Sequence, residues 1–345
     1  MHPAGTLEES LECFVGKGPE FDGGLSNHGP MAVEAMVRMG QGQAALPWAV
    51  KYREKLDDAL SPRWRITDTD WREALGDPQR AGDWADFFNR QLSEASHQDV
   101  ASRWVPRLLP GLMAAATHGA IRSFHALRAL NEEVTDLRSR ELAQALGYWA
   151  ARYQTLPGDP RSRGGNSPET AAARLAELAP RERHPSLISD DVRDLDAQPE
   201  FAILVAAVEL ASDIPAAFSA LTAIGARAYL ANASHAPIAL VHAVTAPAAV
   251  RGMLPLLSPD QQRAALAYAW QAVAGLIATS APTGLAPFPN ASPSSIKAEI
   301  IDQAVASGNE HAIKLTEAAL RENALNPNPA YLLAATDAGI RLTPD

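Results

Sequence analysis

The chain has little cysteine, few aromatic residues and no long run of positive charge. Cys13 is its only cysteine, which excludes a disulfide within the chain and metal or iron–sulfur sites built from several thiolates. Aromatic residues make up 6% of the 345 residues, and the formal net charge is −10, so nucleic acid is not an expected partner. The sequence therefore excludes metal sites built from several cysteines and does not favour a nucleic-acid-binding protein.

Long apolar runs and common catalytic motifs are also missing. No stretch of about 18 uninterrupted apolar residues predicts a membrane span, and the N-terminus lacks the basic-then-apolar order of a secretory signal. The HExxH motif, the EF-hand loop, the Walker A loop, the Rossmann glycine pattern and the G-x-S-x-G elbow are absent. We expect a cytoplasmic protein without a membrane partner.

Helix-forming residues dominate what the chain does contain. Apolar residues make up 47% of the sequence, alanine is abundant, and no alternating strand pattern is convincing. We predict an all-α protein with a single large multi-helix domain spanning 1–345, after an irregular lead-in over 1–25. The predicted helices cover about 31–39, 47–60, 82–96, 98–131 with breaks at Pro106 and Pro110, 133–153, 169–178, 199–211, 215–231, 236–256, 259–280, 294–306, 309–323 and 330–340.

Two segments rich in turn-forming residues interrupt the helical patterns. The stretch 156–168 contains three prolines and three glycines, and we predict a mobile or poorly packed loop there, open to proteolysis. The Pro/Ser/Asn-rich segment 282–294 predicts a second loop.

A histidine phrase occurs once on each side of the first loop. His118–Ala126 and His235–Ala243 share the pattern H-x-x-I-x-x-x-H-A, and simpler echoes begin at His28 and His311. Two pseudo-repeated helical halves around a central metal site are one interpretation, and coincidence in an alanine-rich chain is the other.

The spacing within each phrase limits what it can bind. Seven helical residues span about 10 Å, too far for one metal to bind both histidines when imidazole ligands lie about 2 Å from the ion. Different helices can each contribute one histidine to a shared site, as in helical bundles. Each histidine taken alone is more simply a hydrogen-bonded core residue, and His2, His97 and His184 lie in polar sequence typical of solvated side chains.

His311 and Lys314 are a separate indication of a site. They stand three residues apart on one predicted helix, so their side chains can reach one point. An ammonium group is no metal ligand, but a buried lysine loses its proton readily, and its neutral amine can take up carbon dioxide to form a carboxylate. A solvated lysine on an amphipathic helix is the plainer interpretation.

At these residues the sequence resembles the questin oxidase-like family, oxygenases of aromatic polyketide metabolism, as a bacterial-type member. The matching phrases, in the family's order from about residue 20 to about residue 325, are Asn27–Met31, His118–Leu130, Val241–Thr245 and His311–Lys314. The chain departs from fungal-type members at two places. Those members resemble the phrase His-Gly-Leu-Ile-His, and this chain has Arg122 at the position of the second histidine. They also favour Asn-Ser at the positions of Val244 and Thr245.

The resemblance implies a mononuclear non-haem iron(II) site that uses molecular oxygen to insert oxygen beside a carbonyl or to cleave a ring of a polycyclic aromatic or quinone-type substrate. A need for NADPH is left open. Carried over, the metal ligands are His28, His118, His242, His311 and a carboxylated Lys314. Arg122, His125 and His235 are then candidate catalytic residues beside the metal. Tyr268 and Trp270 are candidate substrate-binding residues, with core packing as the alternative.

Two other classes of protein remain open from the sequence. Histidines with a carboxylated lysine also suit a metal-dependent hydrolase, although few carboxylates lie near the histidines in the sequence. A non-catalytic helical binding protein with structural histidines is the other alternative. Iron, zinc or no metal in the purified protein would distinguish the three.

Overall fold

A computed structural model describes residues 5–161, 164–182, 186–289 and 296–342. Helices account for most of these residues. The sixteen α-helices of the described ranges are α1 (Gly5–Glu12), α2 (Gly29–Arg38), α3 (Gly42–Tyr52), α4 (Ala81–Glu94), α5 (His97–Leu108), α6 (His118–Glu132), α7 (Asp136–Ala151), α8 (Pro168–Leu175), α9 (Ile188–Arg193), α10 (Pro199–Ala206), α11 (Ile214–Asn232), α12 (Pro237–Met253), α13 (Pro259–Ser280), α14 (Lys297–Ala306), α15 (Glu310–Leu325) and α16 (Pro329–Arg341).

The only sheet in these ranges is a pair of two-residue strands. β1 (Glu20–Phe21) runs antiparallel to β2 (Leu25–Ser26), with Glu20 opposite Ser26. The predicted all-α class is therefore confirmed.

Several predicted boundaries were wrong. The helix predicted over 47–60 is α3, Gly42–Tyr52, and the helix predicted over 199–211 ends at Ala206. The lead-in 1–25 is not irregular throughout, because Leu7 and Leu11, one turn apart, give α1 a buried face. Of the two breaks predicted in 98–131, the one at Pro110 is confirmed by the interruption over 109–117, whereas the one at Pro106 is wrong because Pro106 lies inside α5. The interruption contains Pro110, which donates no backbone hydrogen bond, and a run of left-handed residues directly before α6.

The chain divides into two compact units, 1–155 and 156–345. In the first unit, α4 and α6 pack against α7, and α2 packs against α3 and α6. In the second, α12 packs against α11, α13 and α15, while α16 packs against α11, α14 and α15. A single domain over 1–345 stays a prediction.

The two most apolar helical segments are core elements of the second unit. Ile214–Asn232 and Pro237–Leu256 each reach a mean hydropathy of 1.3, enough in length and composition to cross a membrane. About 67% and 72% of these windows are nevertheless buried inside the structure. That burial is typical of core helices in a soluble protein, whereas the cytoplasmic location stays a prediction.

The first predicted loop is anchored at its start. The Gln271 side-chain amide on α13 lies 3.0–3.1 Å from the carbonyl oxygens of Leu156, Pro157 and Gly158. These hydrogen bonds hold the start of the loop, and its mobility and sensitivity to proteolysis stay predictions. Residues 162–163 of this loop, and 290–294 of the second predicted loop, lie outside the described residues.

The contact of α11 with α12 depends on one glycine. A Cβ at Gly225 would lie 2.1 Å from the carbonyl oxygen of Ala243, the residue after His242. No L side chain fits at that distance, so the two backbones can approach this closely only because residue 225 is glycine.

We expect Gly225→Ala to lower the free energy of unfolding by about 1–3 kcal/mol, because the added methyl must push two packed helices apart. Urea unfolding followed by circular dichroism measures the change. Gly165→Ala is the matched control, since a Cβ there would meet no atom within 4 Å. Equal stabilities of Gly225→Ala and the wild type would contradict the close approach.

Candidate metal centre

Two histidines meet in the first unit. The Nε2 atoms of His28 and His118 lie 2.7 Å apart, and their rings are edge to face at 4.5 Å between centroids. His28 is the N-cap of α2, and His118 is the first residue of α6. Both imidazoles are 5% exposed.

The local sequence around His28 fixes its ring. The Asn27 side-chain oxygen accepts the Gly29 backbone N–H at 2.9 Å and so starts α2. The Tyr52 hydroxyl accepts the backbone N–H of His28 at 3.0 Å and also lies 3.2 Å from its Nδ1. With Nδ1 held by Tyr52, Nε2 is the nitrogen that faces His118.

A glycine follows each of these histidines for a steric reason. A Cβ at Gly29 would lie 2.4 Å from the Phe14 ring, and one at Gly119 would lie 2.6 Å from the Trp149 backbone. Each glycine lets its helix start pack directly against a neighbouring aromatic residue. The His-Gly dipeptides of the sequence are therefore packing features as well as candidate ligand phrases.

His118 has a defined tautomer. Its Nδ1 lies 2.5 Å from the carbonyl oxygen of Ala115, which can only accept a hydrogen bond. Nδ1 therefore carries the proton and Nε2 carries the lone pair, the form in which histidine binds a metal.

A second pair of histidines lies in the second unit. His242 on α12 and His311 on α15 have ring centroids 5.6 Å apart. The Nδ1 of His242 donates to the Ile238 carbonyl at 2.8 Å, so its Nε2 also carries the lone pair. The Asn309 side chain caps α15 by accepting the backbone N–H of His311 at 2.9 Å.

Lys314 lies one turn along α15 from His311 and is deeply buried. Its side chain is 1% exposed, and its Nζ has no hydrogen-bond partner. Burial lowers the pKa of Lys314 to about 7, although Glu310 acts in the opposite direction. Burial and the Lys314 charge together lower the pKa of His242 to about 3. The alternative of a solvated lysine is therefore wrong.

The four histidines form one group that could hold a metal ion. One ligand atom from each of His28, His118, His242 and His311 lies within 4.8 Å of the others, and all four residues are buried. His28, His118 and His311 also stand at the N-termini of their helices. The Nε2 lone pairs of His118 and His242 are available for a metal ion.

A buried carboxylate that was not predicted from the sequence joins the two helices that carry His28 and His118. Glu34 on α2 accepts hydrogen bonds from His125 Nδ1 at 2.6 Å and from Arg128 Nε at 2.7 Å, both on α6. Burial acts to raise the pKa of Glu34, but Arg128 and His125 outweigh it and hold the pKa below its usual value. Glu34 is the single acidic residue in the apolar run 31–39, and this isolated position could have indicated a buried carboxylate.

A comparable network of ion pairs joins the two helices that carry His242 and His311. Glu322 on α15 is fully buried and binds Arg251 of α12 at 2.7 Å, while Arg321 also contacts it at 3.1 Å. In both units, therefore, a buried carboxylate joins the same two helices that carry the histidine pair. Breaking such a buried pair is costly, so each network fixes how its two helices pack.

The three predicted catalytic residues were expected beside the metal, and the structure gives two of them carboxylate partners. Arg122 is buried and makes a two-point ion pair with Glu141 at 2.6 and 2.7 Å, so its charge already has a partner. His125 binds Glu34. His235 is half-buried and precedes the N-cap of α12, so it lies outside the helix that carries His242. Their catalytic roles stay predictions.

The predicted substrate-binding aromatics lie on α13. Trp270 is 0% exposed and donates its indole N–H to the Val205 carbonyl at 3.2 Å, which is core packing. Tyr268 is half-buried. Neither residue's role in substrate binding is tested by this arrangement. Of the histidines expected to be solvated, His97 bonds Asn131 at the surface, and His2 and His184 lie outside the described residues.

Fold and site together define an all-α protein with a buried four-histidine group able to hold a metal ion. Residues 25–319 match the family described as Questin oxidase-like, and the chain belongs to that family. The resemblance inferred from the histidine phrases is thereby confirmed. A search of curated proteins found no match to the chain.

The burial of Lys314 predicts how stability depends on pH. Between about pH 7 and pH 10.5 the unfolded chain holds the lysine proton and the folded chain has released it, so stability increases with pH in this window. The slope from this one group approaches about 1.4 kcal/mol per pH unit.

Lys314→Met has no titrating group at this position, so its free energy of unfolding should not increase with pH in this way. The stability of Lys314→Met relative to the wild type should therefore fall as pH rises from 7. Urea unfolding of metal-free protein in carbonate-free buffer measures it. Lys297→Met, at an exposed position, is the control and should track the wild type. A constant difference between Lys314→Met and the wild type across this window would contradict an unpaired buried amine.

Proposed function

We propose that this protein is a non-haem iron-dependent oxygenase that acts on a polycyclic aromatic or quinone-type substrate. The observation that carries the proposal is the group of four buried histidines with ligand atoms within 4.8 Å of one another, in a chain of the Questin oxidase-like family. The family name indicates oxidation, and neutral imidazoles suit iron among other transition metals.

The residues present fit a metal ion. His118 and His242 have their Nδ1 protons bound to backbone carbonyls, which fixes the ring orientation and leaves Nε2 for the metal. His28 and His311 supply two further donors, and no thiolate or carboxylate belongs to the group. When bound, iron(II) supplies the redox chemistry that lets molecular oxygen react with an electron-rich aromatic compound.

Lys314 is the proposed fifth ligand, as a carbamate. Its amine is buried without a hydrogen-bond partner and has a pKa of about 7, so a large fraction is neutral at physiological pH. The neutral amine attacks carbon dioxide, a C–N bond forms, and one proton is released, which leaves a carboxylate on a long stem. That anion offsets the charge of a metal, which the unmodified ammonium would repel.

The substrate class rests on the family alone. Oxygen insertion beside a carbonyl and cleavage of a carbon–carbon bond in a ring are both consistent with it. Oxygen uptake with a hydroxylated anthraquinone or the corresponding anthrone, measured with and without NADPH, tests the class of substrate and the need for a reductant. The proposed setting is secondary metabolism in the cytoplasm.

A metal-dependent hydrolase is the alternative that shares this donor set. The four-histidine group contains no bridging carboxylate, so nothing there favours a binuclear water-activating centre. Metal analysis of untagged protein distinguishes the alternatives. Iron near one per chain supports the oxygenase, zinc supports the hydrolase, and no metal supports a binding protein.

We expect alanine at any one of the four histidine positions to remove most of the bound metal while the far-ultraviolet circular dichroism stays largely native. The loss should exceed the roughly 10–100-fold loss of affinity typical of a residue outside the ligand set. Equilibrium dialysis with elemental analysis measures it. The variants are His28→Ala, His118→Ala, His242→Ala and His311→Ala.

His97→Ala is the matched control, because His97 lies on α5 and bonds Asn131 at the surface. It should keep the metal content of the wild type. Full metal content in two of the four test variants would show that the ligand set is wrong.

We expect Lys314→Arg to lose metal and oxygen consumption although it conserves charge. A guanidinium forms no carbamate and does not ligate a metal. Metal content and substrate-dependent oxygen uptake are the measurements, and ¹³C-labelled bicarbonate should give a carbamate signal in the wild type alone.

Lys297→Arg, at an exposed position, should behave like the wild type, as surface substitutions change stability by less than about 0.5 kcal/mol. Wild-type metal content and oxygen uptake in Lys314→Arg would remove Lys314 from the ligand set.

A further inference from the structure

A run of left-handed backbone lies immediately before His118. Ala115, Ala116 and Thr117 have φ values of 48°, 54° and 73°. This region is unfavourable for residues with a Cβ and most of all for a β-branched residue such as threonine. Three consecutive residues of this kind carry a conformational cost that the rest of the fold must offset.

The run brings one carbonyl oxygen to both polar hydrogens of His118. The Ala115 oxygen accepts the backbone N–H of His118 at 3.2 Å and its ring Nδ1–H at 2.5 Å. Because a single oxygen receives both groups, the ring is held in one rotation and one tautomer. Its Nε2 then faces the Nε2 of His28 at 2.7 Å.

The residue types in the run are unexpected for its conformation. Eight glycines occupy positive-φ positions elsewhere in the described residues, so the chain commonly uses glycine where this backbone is needed. Glycine at 115 would remove the strain, but it would also widen the range of backbone angles open to that residue. Alanine keeps the Ala115 carbonyl, and with it the His118 ring, in a narrower range of directions.

We propose that Ala115–Thr117 is a positioning element, whose stiff left-handed backbone fixes the tautomer and direction of the His118 ring. It acts through the Ala115 carbonyl and touches neither metal nor substrate. The effect on metal binding rests on the proposed function, whereas the effect on the ring of His118 does not.

Ala115→Gly tests the proposal, because residue 115 is half-buried and supplies the carbonyl. The unfolding midpoint should stay the same or rise, since glycine adopts this backbone without strain. The affinity for Zn(II), and for Fe(II) added without oxygen, should nevertheless fall about 10–100-fold. A residue with a merely structural role would not combine unchanged or higher stability with weaker metal binding.

Two further variants serve as controls. Asp22 is an exposed non-glycine residue at φ 45° in the turn between β1 and β2, so Asp22→Gly relieves the same kind of strain and should leave metal affinity unchanged. Ala115→Asn keeps a Cβ and tolerates left-handed backbone, so its affinity should be close to that of the wild type.

A measurement on the metal-free protein separates this proposal from the proposed function. The ¹⁵N shifts of His118, assigned by comparison with His118→Ala, should show the Nδ1–H form in the wild type and a mixture of tautomers in Ala115→Gly. If the wild type binds metal, wild-type affinity in Ala115→Gly overturns the proposal. If the wild type binds no metal, the proposed function fails, and the tautomers of His118 alone test the positioning role. A pure Nδ1–H form in Ala115→Gly would then overturn the proposal.

Discussion

The burial of imidazole and amine groups is the constraint on which the site depends. Protonated imidazole and ammonium are costly in such surroundings, so the pKa of His242 falls to about 3 and that of Lys314 to about 7. Deprotonated nitrogen is the form that binds metals or carbon dioxide. The same burial that costs stability therefore prepares these side chains for ligation.

The helices that carry the histidines are fixed by stronger interactions elsewhere along their length. In the first unit Glu34 ties α2 to α6, and in the second Glu322 ties α12 to α15. These carboxylates lie away from the helix starts that carry His28, His118 and His311. Packing strength and ligand chemistry are thus supplied by different residues. Backbone carbonyls orient the rings of His118 and His242, and Tyr52 contacts the ring of His28.

Close backbone approach is the other recurring requirement. Gly29 and Gly119 follow histidines directly, and Gly225 faces the residue after His242. In each case the absence of a Cβ lets another segment pack against the start or the backbone of a histidine-bearing helix. The glycines that follow His28 and His118 are therefore explained by packing distance.

The sequence by itself determined the all-α class and most helix positions, because helix period is a local feature. The candidate set His28, His118, His242, His311 and Lys314 came from the resemblance of its ordered phrases to one family. The sequence did not predict α1, the partner of Arg122 or the carboxylate on His125, since these depend on residues from other helices. Tertiary structure alone decided them. Only the folded backbone could show the left-handed run before His118, because its residues, two alanines and a threonine, have no local preference for that conformation.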